Sequence, residues 1–165
     1  MTWRDTVIDS PNLDDLDKSF TESLLLRSAM PSDASFILHS WLQSFRDGDM
    51  VEGIPNQIYY HHHHKLVSNL LRRCAVTVLS DPSAPEVIFG WFCWESCEKG
   101  IIIHYAYVKN EFRKSRLASR ILDAILDSEE PEYVFVTHRV NPMGYEFKKR
   151  KWIYNPYLLF KEVVL

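Results

Sequence analysis

The run Gly100-Ile-Ile-Ile-His-Tyr-Ala-Tyr-Val-Lys-Asn-Glu-Phe-Arg-Lys-Ser-Arg-Leu-Ala-Ser-Arg-Ile-Leu122 is the stretch on which the fold turns. Ile101 to Val108 is β-branched and aromatic and reads as a buried strand. Ser115 to Leu126 reads as an amphipathic helix, because Leu117, Ile121, Leu122, Ile125 and Leu126 fall at helical spacing. Ser115 is its N-cap or lies one residue inside the first turn. Between strand and helix lies a short basic turn, Lys109 to Lys114. The first turn of a helix carries N–H groups without intrahelical partners and partial positive charge from the helix dipole. With Arg113, Lys114, Arg116 and Arg120 around it, that turn is expected to hold an anion such as a phosphate or pyrophosphate.

Outward from this stretch, the totals bound the answer. A chain of 165 residues suits one domain with a full core. Apolar content of 46% with 25% charged residues describes a soluble globular protein. No run approaches the roughly 18 apolar residues that a membrane span needs, and the polar, acidic start from Met1 to Phe20 has no signal-peptide pattern. Cys74, Cys93 and Cys97 show no metal-type spacing and read as free buried thiols in a reducing, cytoplasmic setting. The net charge of −3 argues against a general nucleic-acid binder. The charge is uneven, however: residues 109–120 hold five bases against one acid, and Lys148 to Lys151 is a second basic run. A local anion site fits that pattern better than a polyanion groove.

Along the chain, residues 1–22 form an N-terminal arm with little periodicity, which Trp3 and Phe20 could pin to the body, and residues 23–165 form the domain. Ser23 to Ser28 reads as a strand. Pro31-Ser32-Asp33 starts a helix that carries Phe36, Ile37, Trp41, Leu42 and Phe45 on one face. Arg46 to Pro55 is a loop, and Gln57 to Arg73 is a second helix. It contains His61 to His64, of which only His61 and His64 share a face, short of the usual zinc set, so no metal is expected. Strands follow at Ala75 to Leu79 and Val87 to Trp94, with a hairpin at Glu98-Lys99-Gly100 leading into the central strand. After the central helix come a strand at Tyr133 to Thr137, a short helix at Asn141 to Arg150, and one or two strands within Trp152 to Leu165. An α/β (α+β) fold follows, with a mixed, mostly antiparallel sheet flanked by helices.

Val108 to Ala118 resembles motif A of the GCN5-related N-acetyltransferases, written Arg/Gln-x-x-Gly-x-Gly/Ala. Arg113 and Ala118 match, and Arg116 stands where the first glycine is usual. The element order from about residue 23 to 160 resembles that family too. The resemblance implies acetyl-CoA as co-substrate. It also implies cofactor contacts at Tyr107, Val108, Arg113, Lys114, Ser115, Arg116, Leu117 and Ala118, with Asn141 touching the cofactor arm or capping its helix. It implies that a backbone N–H near the end of the strand, at Val108, polarises the thioester carbonyl.

Acyl transfer to an amine needs a polarised carbonyl, an acceptor that has lost its proton, and a leaving thiolate. His104 lies four residues before Val108, so regular alternation puts both on one face, and its ordinary pKa near 6.5 suits a base. Glu95 is the second candidate base; Glu111 reads as structural. In the family a tyrosine often supplies the acid; Phe147 holds that position here, which leaves Tyr154 or Tyr157 on the last strand, or a thiolate that leaves unaided. The function expected is direct transfer of an acetyl group to a primary amine, small or macromolecular, at a site near Tyr59, Tyr60, the His run, Trp91 and Trp94. Two alternatives stand beside it: a non-catalytic module that binds coenzyme A or protein, and transfer to an amine carried on nucleic acid. No membrane partner is expected, and a homodimer is left open.

Overall fold

The computed structural model describes residues 13–113, 115–138 and 152–160. Lys114, Asn141, Phe147, Trp3 and the expected helix at 141–150 lie outside the described residues. The described elements are α1 (Leu13–Ser23), β1 (Leu25–Ser28), α2 (Ala34–Arg46), α3 (Asn56–Arg73), β2 (Ala75–Ser80), β3 (Ile88–Cys97), β4 (Gly100–Val108), α4 (Leu117–Glu129), β5 (Tyr133–Val136) and β6 (Trp152–Tyr154). Short 3₁₀ turns precede α2 at Pro31–Asp33 and α4 at Asn110–Phe112, and another follows β6 at Pro156–Phe160. The strands form one sheet in the order β1-β2-β3-β4-β5-β6. The pairs from β1 to β4 are antiparallel, and β4-β5 and β5-β6 are parallel. This is the mixed, mostly antiparallel sheet that the sequence predicts.

Each face of the sheet carries its own apolar layer. On one side, Ile37, Trp41, Leu42 and Phe45 of α2 and Tyr59, Val67 and Leu70 of α3 pack on Val78, Trp91, Cys93 and Tyr105. On the other, Leu117, Ile121, Leu122, Ile125 and Leu126 of α4 pack on Leu79, Phe92, Ile101, Ile103, Val134 and Val136. Tyr59 and Trp91, expected near an acceptor, are core residues at 3% and 0% exposure. Burying each ring fully is worth more to the fold than any surface role, because large aromatics dominate core energetics.

Residues 13–23 are helical, which differs from the irregular arm expected there. This helix lies on the turn that precedes α4. The Phe20 ring stacks on Phe112 and meets Phe89 edge-on, both at 5.7 Å between centroids. The Thr21 hydroxyl donates to the Ser115 carbonyl (2.9 Å). Arg27 and Asp33 form a paired cluster beside β1: Nη1 meets Oδ2 at 2.6 Å and Nη2 meets Oδ1 at 3.2 Å, with side-chain exposures of 13% and 3%. Asp33 also accepts the Met30 N–H (2.7 Å), so one carboxylate both pairs the arginine and starts the turn into α2.

The register of β3 on β4 contains the feature that shapes the site. From Cys97↔Gly100 to Trp94↔Ile103 the pairing is regular, and it is regular again from Cys93↔Tyr105 to Gly90↔Val108. His104 is the extra residue between the two runs, a β-bulge. A bulge shifts the alternation of everything beyond it. Ile101 and Ile103 face the α4 layer, whereas past the bulge Ala106 and Val108 face it and Tyr105 and Tyr107 face α2 and α3. His104 and Val108 therefore do not share a face, contrary to the alternation expected for an unbroken strand.

Candidate active site

β4 and β5 run together only as far as Ile103↔Val136, with the Thr137 N–H reaching the Ile103 carbonyl at 3.3 Å. Beyond that, among the described residues, β4 has no strand on its β5 side. The direction of its backbone groups follows from the end of the strand. The Lys109 N–H donates to the Phe89 carbonyl of the neighbouring chain segment (2.9 Å), so residue 109 points toward β3. Counting back, Tyr107 and Tyr105 also point toward β3, while the N–H and C=O groups of Val108 and Ala106 point into the gap where β5 has left. Ala106 is the deeper of the two, next to the vertex where pairing ends. Sequence reasoning reached Val108 and missed Ala106, because only the bulge fixes which amides are turned outward.

The gap opens toward the basic turn. The Val108 carbonyl accepts from Arg113 Nε (3.2 Å), and Arg113 is exposed. Ser115 is not the N-cap of α4: its hydroxyl donates to the Phe112 carbonyl (2.5 Å), and the helix begins at Leu117 with Arg116 as cap residue. Arg116 has φ 59° and ψ 16°, the left-handed region that glycine occupies at no steric cost. Its carbonyl accepts the Arg120 N–H, and no side chain caps the helix. Leu117 is 1% exposed, so its side chain belongs to the core and only its backbone can face a ligand, whereas Ala118 is exposed. Arg120 turns away from the anion site expected for it: its guanidinium donates to the Thr21 carbonyl and to the Leu24 carbonyl (2.8 Å). It ties the end of α1 to α4.

At the bulge the His104 ring is 1% exposed and held on both sides. Nε2 lies 2.8 Å from Glu95 Oε1, and Nδ1 lies 3.0 Å from the Thr137 hydroxyl. Glu95 Oε1 also meets Arg73 Nη2 at 3.3 Å. Cys74, at the junction of α3 and β2, completes the group: its Sγ, a Glu95 oxygen and a His104 ring nitrogen lie within 4.8 Å of one another. The two candidate bases of the sequence reading are thus brought into contact. Cys74, Arg73 and Thr137, which join them, were not singled out. They come from two other places in the chain, the end of α3 and the end of β5, and no local motif marks them. These donors resemble a zinc set in kind. Arg73 already balances Glu95, however, so a dication added to a thiolate, a carboxylate and a guanidinium would leave a net positive charge at a largely buried position.

Tyr154 is not part of this group. It pairs with Val136, whose side chain packs in the α4 layer, and Trp152, two residues before it, packs there as well. Tyr154 thus lies on the opposite face from His104 and is 42% exposed, and Tyr157 is 82% exposed. The His run divides as its helix dictates: His61, His62 and His64 are exposed, and His63 turns inward. His63 stacks on Phe45 (4.7 Å) and Tyr59 (5.1 Å) and meets His138 edge-on at 5.7 Å. Burial pushes both rings well below their usual range, His63 to about 4 and His138 to about 3. Trp41 Nε1, His63 Nε2 and His138 Nε2 are buried without hydrogen-bond partners among the described residues. Tyr105, which stacks on Trp41 at 5.0 Å and bonds Ser44 through its hydroxyl (2.9 Å), connects this buried group of neutral rings to β4. Of the other aromatics expected at an acceptor site, Tyr60 is exposed, and Trp94 is half-buried with its Nε1–H on the Thr77 hydroxyl (2.9 Å).

No family model matches the sequence, and no curated protein matches it either. Solved structures do match in fold. A protein from Corynebacterium glutamicum described as a histone acetyltransferase and related acetyltransferase superposes with a TM-score of 0.59 at 11% identity, over 77% of this chain and 83% of that one. An acetyl transferase from Pyrococcus furiosus gives 0.59 at 14% identity, over 76% and 90%. An acetyltransferase of the GCN5-related family from Brucella melitensis, solved with acetyl-CoA, gives 0.50 at 13% identity, over 74% and 80%.

Proposed function

The fold is that of the GCN5-related N-acetyltransferases, and we propose that this chain is one of them in activity: an enzyme that transfers an acetyl group from acetyl-CoA directly to a primary amine. The observation that carries this reading is the pair of β4 amides, Ala106 and Val108, turned into a gap whose mouth is the basic turn before α4. An extended amide-bearing chain such as pantetheine can pair with that open backbone as a strand would. Its pyrophosphate then meets the first turn of α4, with Arg113, Lys114 and Arg116 as cations and the backbone of Leu117 and Ala118 as donors, the Ser115 N–H being taken by the Phe112 carbonyl. The Ala106 N–H, at the narrow end, is aimed to donate to the thioester oxygen as it gains charge, while Val108 holds the arm; Tyr107, turned toward β3, drops out of the expected contacts.

The proton balance of the step uses the bulge. The ammonium loses a proton toward His104, through the Thr137 hydroxyl that lies at the vertex of the gap and 3.0 Å from Nδ1. Glu95, which accepts from Nε2, stabilises the charge that forms. The free amine attacks the thioester carbon, the C–S bond breaks, and coenzyme A leaves as a thiolate, which a thiol of pKa near 8.5 can do unaided; the nitrogen then gives its second proton to that thiolate, so the products are the amide and coenzyme A thiol, with one proton on His104.

Thermal unfolding with and without acetyl-CoA tests the cofactor site. At about a hundred times its dissociation constant the ligand should add roughly 2.7 kcal/mol of stability. Arg113→Ala should shrink that gain. No rise at millimolar acetyl-CoA would refute the reading. A rise without release of coenzyme A thiol against a panel of amines would reduce it to binding without turnover.

A further inference from the structure

The group of Cys74, His104, Glu95 and Arg73 contains more than a base and its partner, and what it contains does not depend on acetyl-CoA chemistry. A thiol lies beside an imidazole, the imidazole is oriented by a carboxylate at 2.8 Å, and the carboxylate is balanced by a guanidinium at 3.3 Å. That is the arrangement of an activated nucleophile: the thiol can give its proton to a ring whose charged form is stabilised from behind. The hydrogen bonds accommodate an imidazolium. Glu95 can only accept, so Nε2 carries a proton. The Thr137 hydroxyl lies 3.5 Å from the His104 carbonyl and 3.1 Å from His138 Nδ1, so it can donate to either and still accept from Nδ1–H. Thiolate, imidazolium, carboxylate and guanidinium then alternate in sign and sum to zero, which is the arrangement that buried charges tolerate; with the proton on Cys74 instead, Nδ1 is free to accept through Thr137, so the ring serves one role at a time.

We propose that Cys74 is a covalent modification site: a thiolate, paired with His104, that reacts with hydroperoxides. The sulfur attacks one peroxide oxygen and the S–O bond forms as the O–O bond breaks. The departing oxygen takes a proton from His104, leaving a sulfenic acid and water or an alcohol. Cys74 is half-buried, so a small oxidant can reach it, whereas Cys93 is fully buried. The groups facing the thiol support the same reading. From β3, the Cys93 thiol hydrogen-bonds it and Glu95 opposes its charge; from β4, His104 favours it. Hydrogen bonding from Cys93, followed by His104, outweighs the cost of burial and lowers the Cys74 thiol well below its usual range, while the same contact and burial push Cys93 well above it. The carbonyl end of α3, just before Cys74, works against the thiolate, and the imidazole and thiol donors offset it.

The test is alkylation of the full chain by iodoacetamide across pH, read at Cys74 by peptide mass spectrometry. The expected profile has its inflexion well below the ordinary thiol value. At pH 6 Cys74 should react about tenfold faster than glutathione in the same tube, the larger thiolate fraction being partly offset by lower intrinsic nucleophilicity. His104→Gln should move the inflexion upward toward the ordinary thiol value. Hydrogen peroxide followed by dimedone should label Cys74. An inflexion in wild type at the ordinary value of about 8.5 overturns the proposal without recourse to any variant. So does a thiolate that peroxide leaves unlabelled.

Discussion

Replacing Arg116 separates its backbone from its charge. At φ 59° and ψ 16° a residue with a Cβ pays about 1–2 kcal/mol that glycine does not. Glycine loses more backbone freedom on folding, which returns about 0.5–1 kcal/mol of that gain. Arg116→Ala keeps the left-handed cost and deletes the guanidinium; Arg116→Gly deletes both. The two variants should therefore differ by about 1 kcal/mol in favour of glycine, or about 2–4 °C in melting temperature for a chain of 165 residues. The charge acts on the ligand. One charge-assisted hydrogen bond from an arginine to phosphate is worth about 1.5 kcal/mol, close to tenfold in affinity. Arg116→Ala should weaken coenzyme A by about that factor, and Arg116→Gly by less, because a glycine backbone can approach the pyrophosphate more closely. Scanning calorimetry on the free proteins and titration calorimetry with coenzyme A read the two halves separately. A glycine variant less stable than the alanine variant would refute the backbone argument. An unchanged affinity in Arg116→Ala would refute the argument from charge.

Two further outcomes concern stability. Asp33→Asn leaves the Arg27 guanidinium without its carboxylate at a position where both side chains are largely buried, and should cost about 3 kcal/mol in denaturant unfolding. Hydrogen bonding from Arg27 holds the Asp33 carboxyl below its ordinary value, so its contribution is present above that value, near 3.8, and is lost as pH falls through the lower folded one. The variant should lose this part of the acid sensitivity; an unchanged acid limb would refute it. His63 and His138 act at higher pH. Burial favours their neutral forms, so unfolded chains take up protons first as pH falls below about 6.5. Melting temperature should decline from there toward pH 4, and His63→Phe, which removes one neutral ring and its unpartnered Nε2, should flatten that decline. A decline equally steep in the variant would refute the role of His63.

The fold was legible in the sequence wherever an apolar period ran unbroken. The α4 positions Leu117, Ile121, Leu122, Ile125 and Leu126 are all buried, as their spacing predicts. The basic turn was legible as charge, yet not its division of labour, because Arg120 is drawn to two carbonyls at the end of α1, a helix whose period of Leu13, Leu16 and Phe20 is passed over when residues 1–22 are read as an arm. The departure at Arg116 could be read as a missing glycine, and the positive φ gives that departure its physical content. His104 and Glu95 were each readable as a titratable residue on a strand. Their contact was not, since it depends on register, and neither was Cys74, which enters from the end of α3.

The least legible feature has the widest effect. One residue inserted into β4 at His104 leaves the local composition as apolar as before, so no pattern of hydropathy announces it. Without it, the alternation set by Ile101 and Ile103 would carry Tyr105 and Tyr107 into the α4 layer, and Ala106 and Val108 would lie against α2 and α3. The two tyrosine rings would replace Ala106 and Val108 in a layer already filled by Leu117, Ile121 and Ile125, and the Ser44 and Trp41 contacts of Tyr105 would be lost. The same insertion rotates the amides of Ala106 and Val108 toward the side that β5 vacates, and it leaves His104 on the face where Glu95 and Thr137 can hold it. Core packing alone is therefore enough to maintain the bulge. The open amides and the oriented imidazole come with it, so the site is maintained by the stability of the sheet around it.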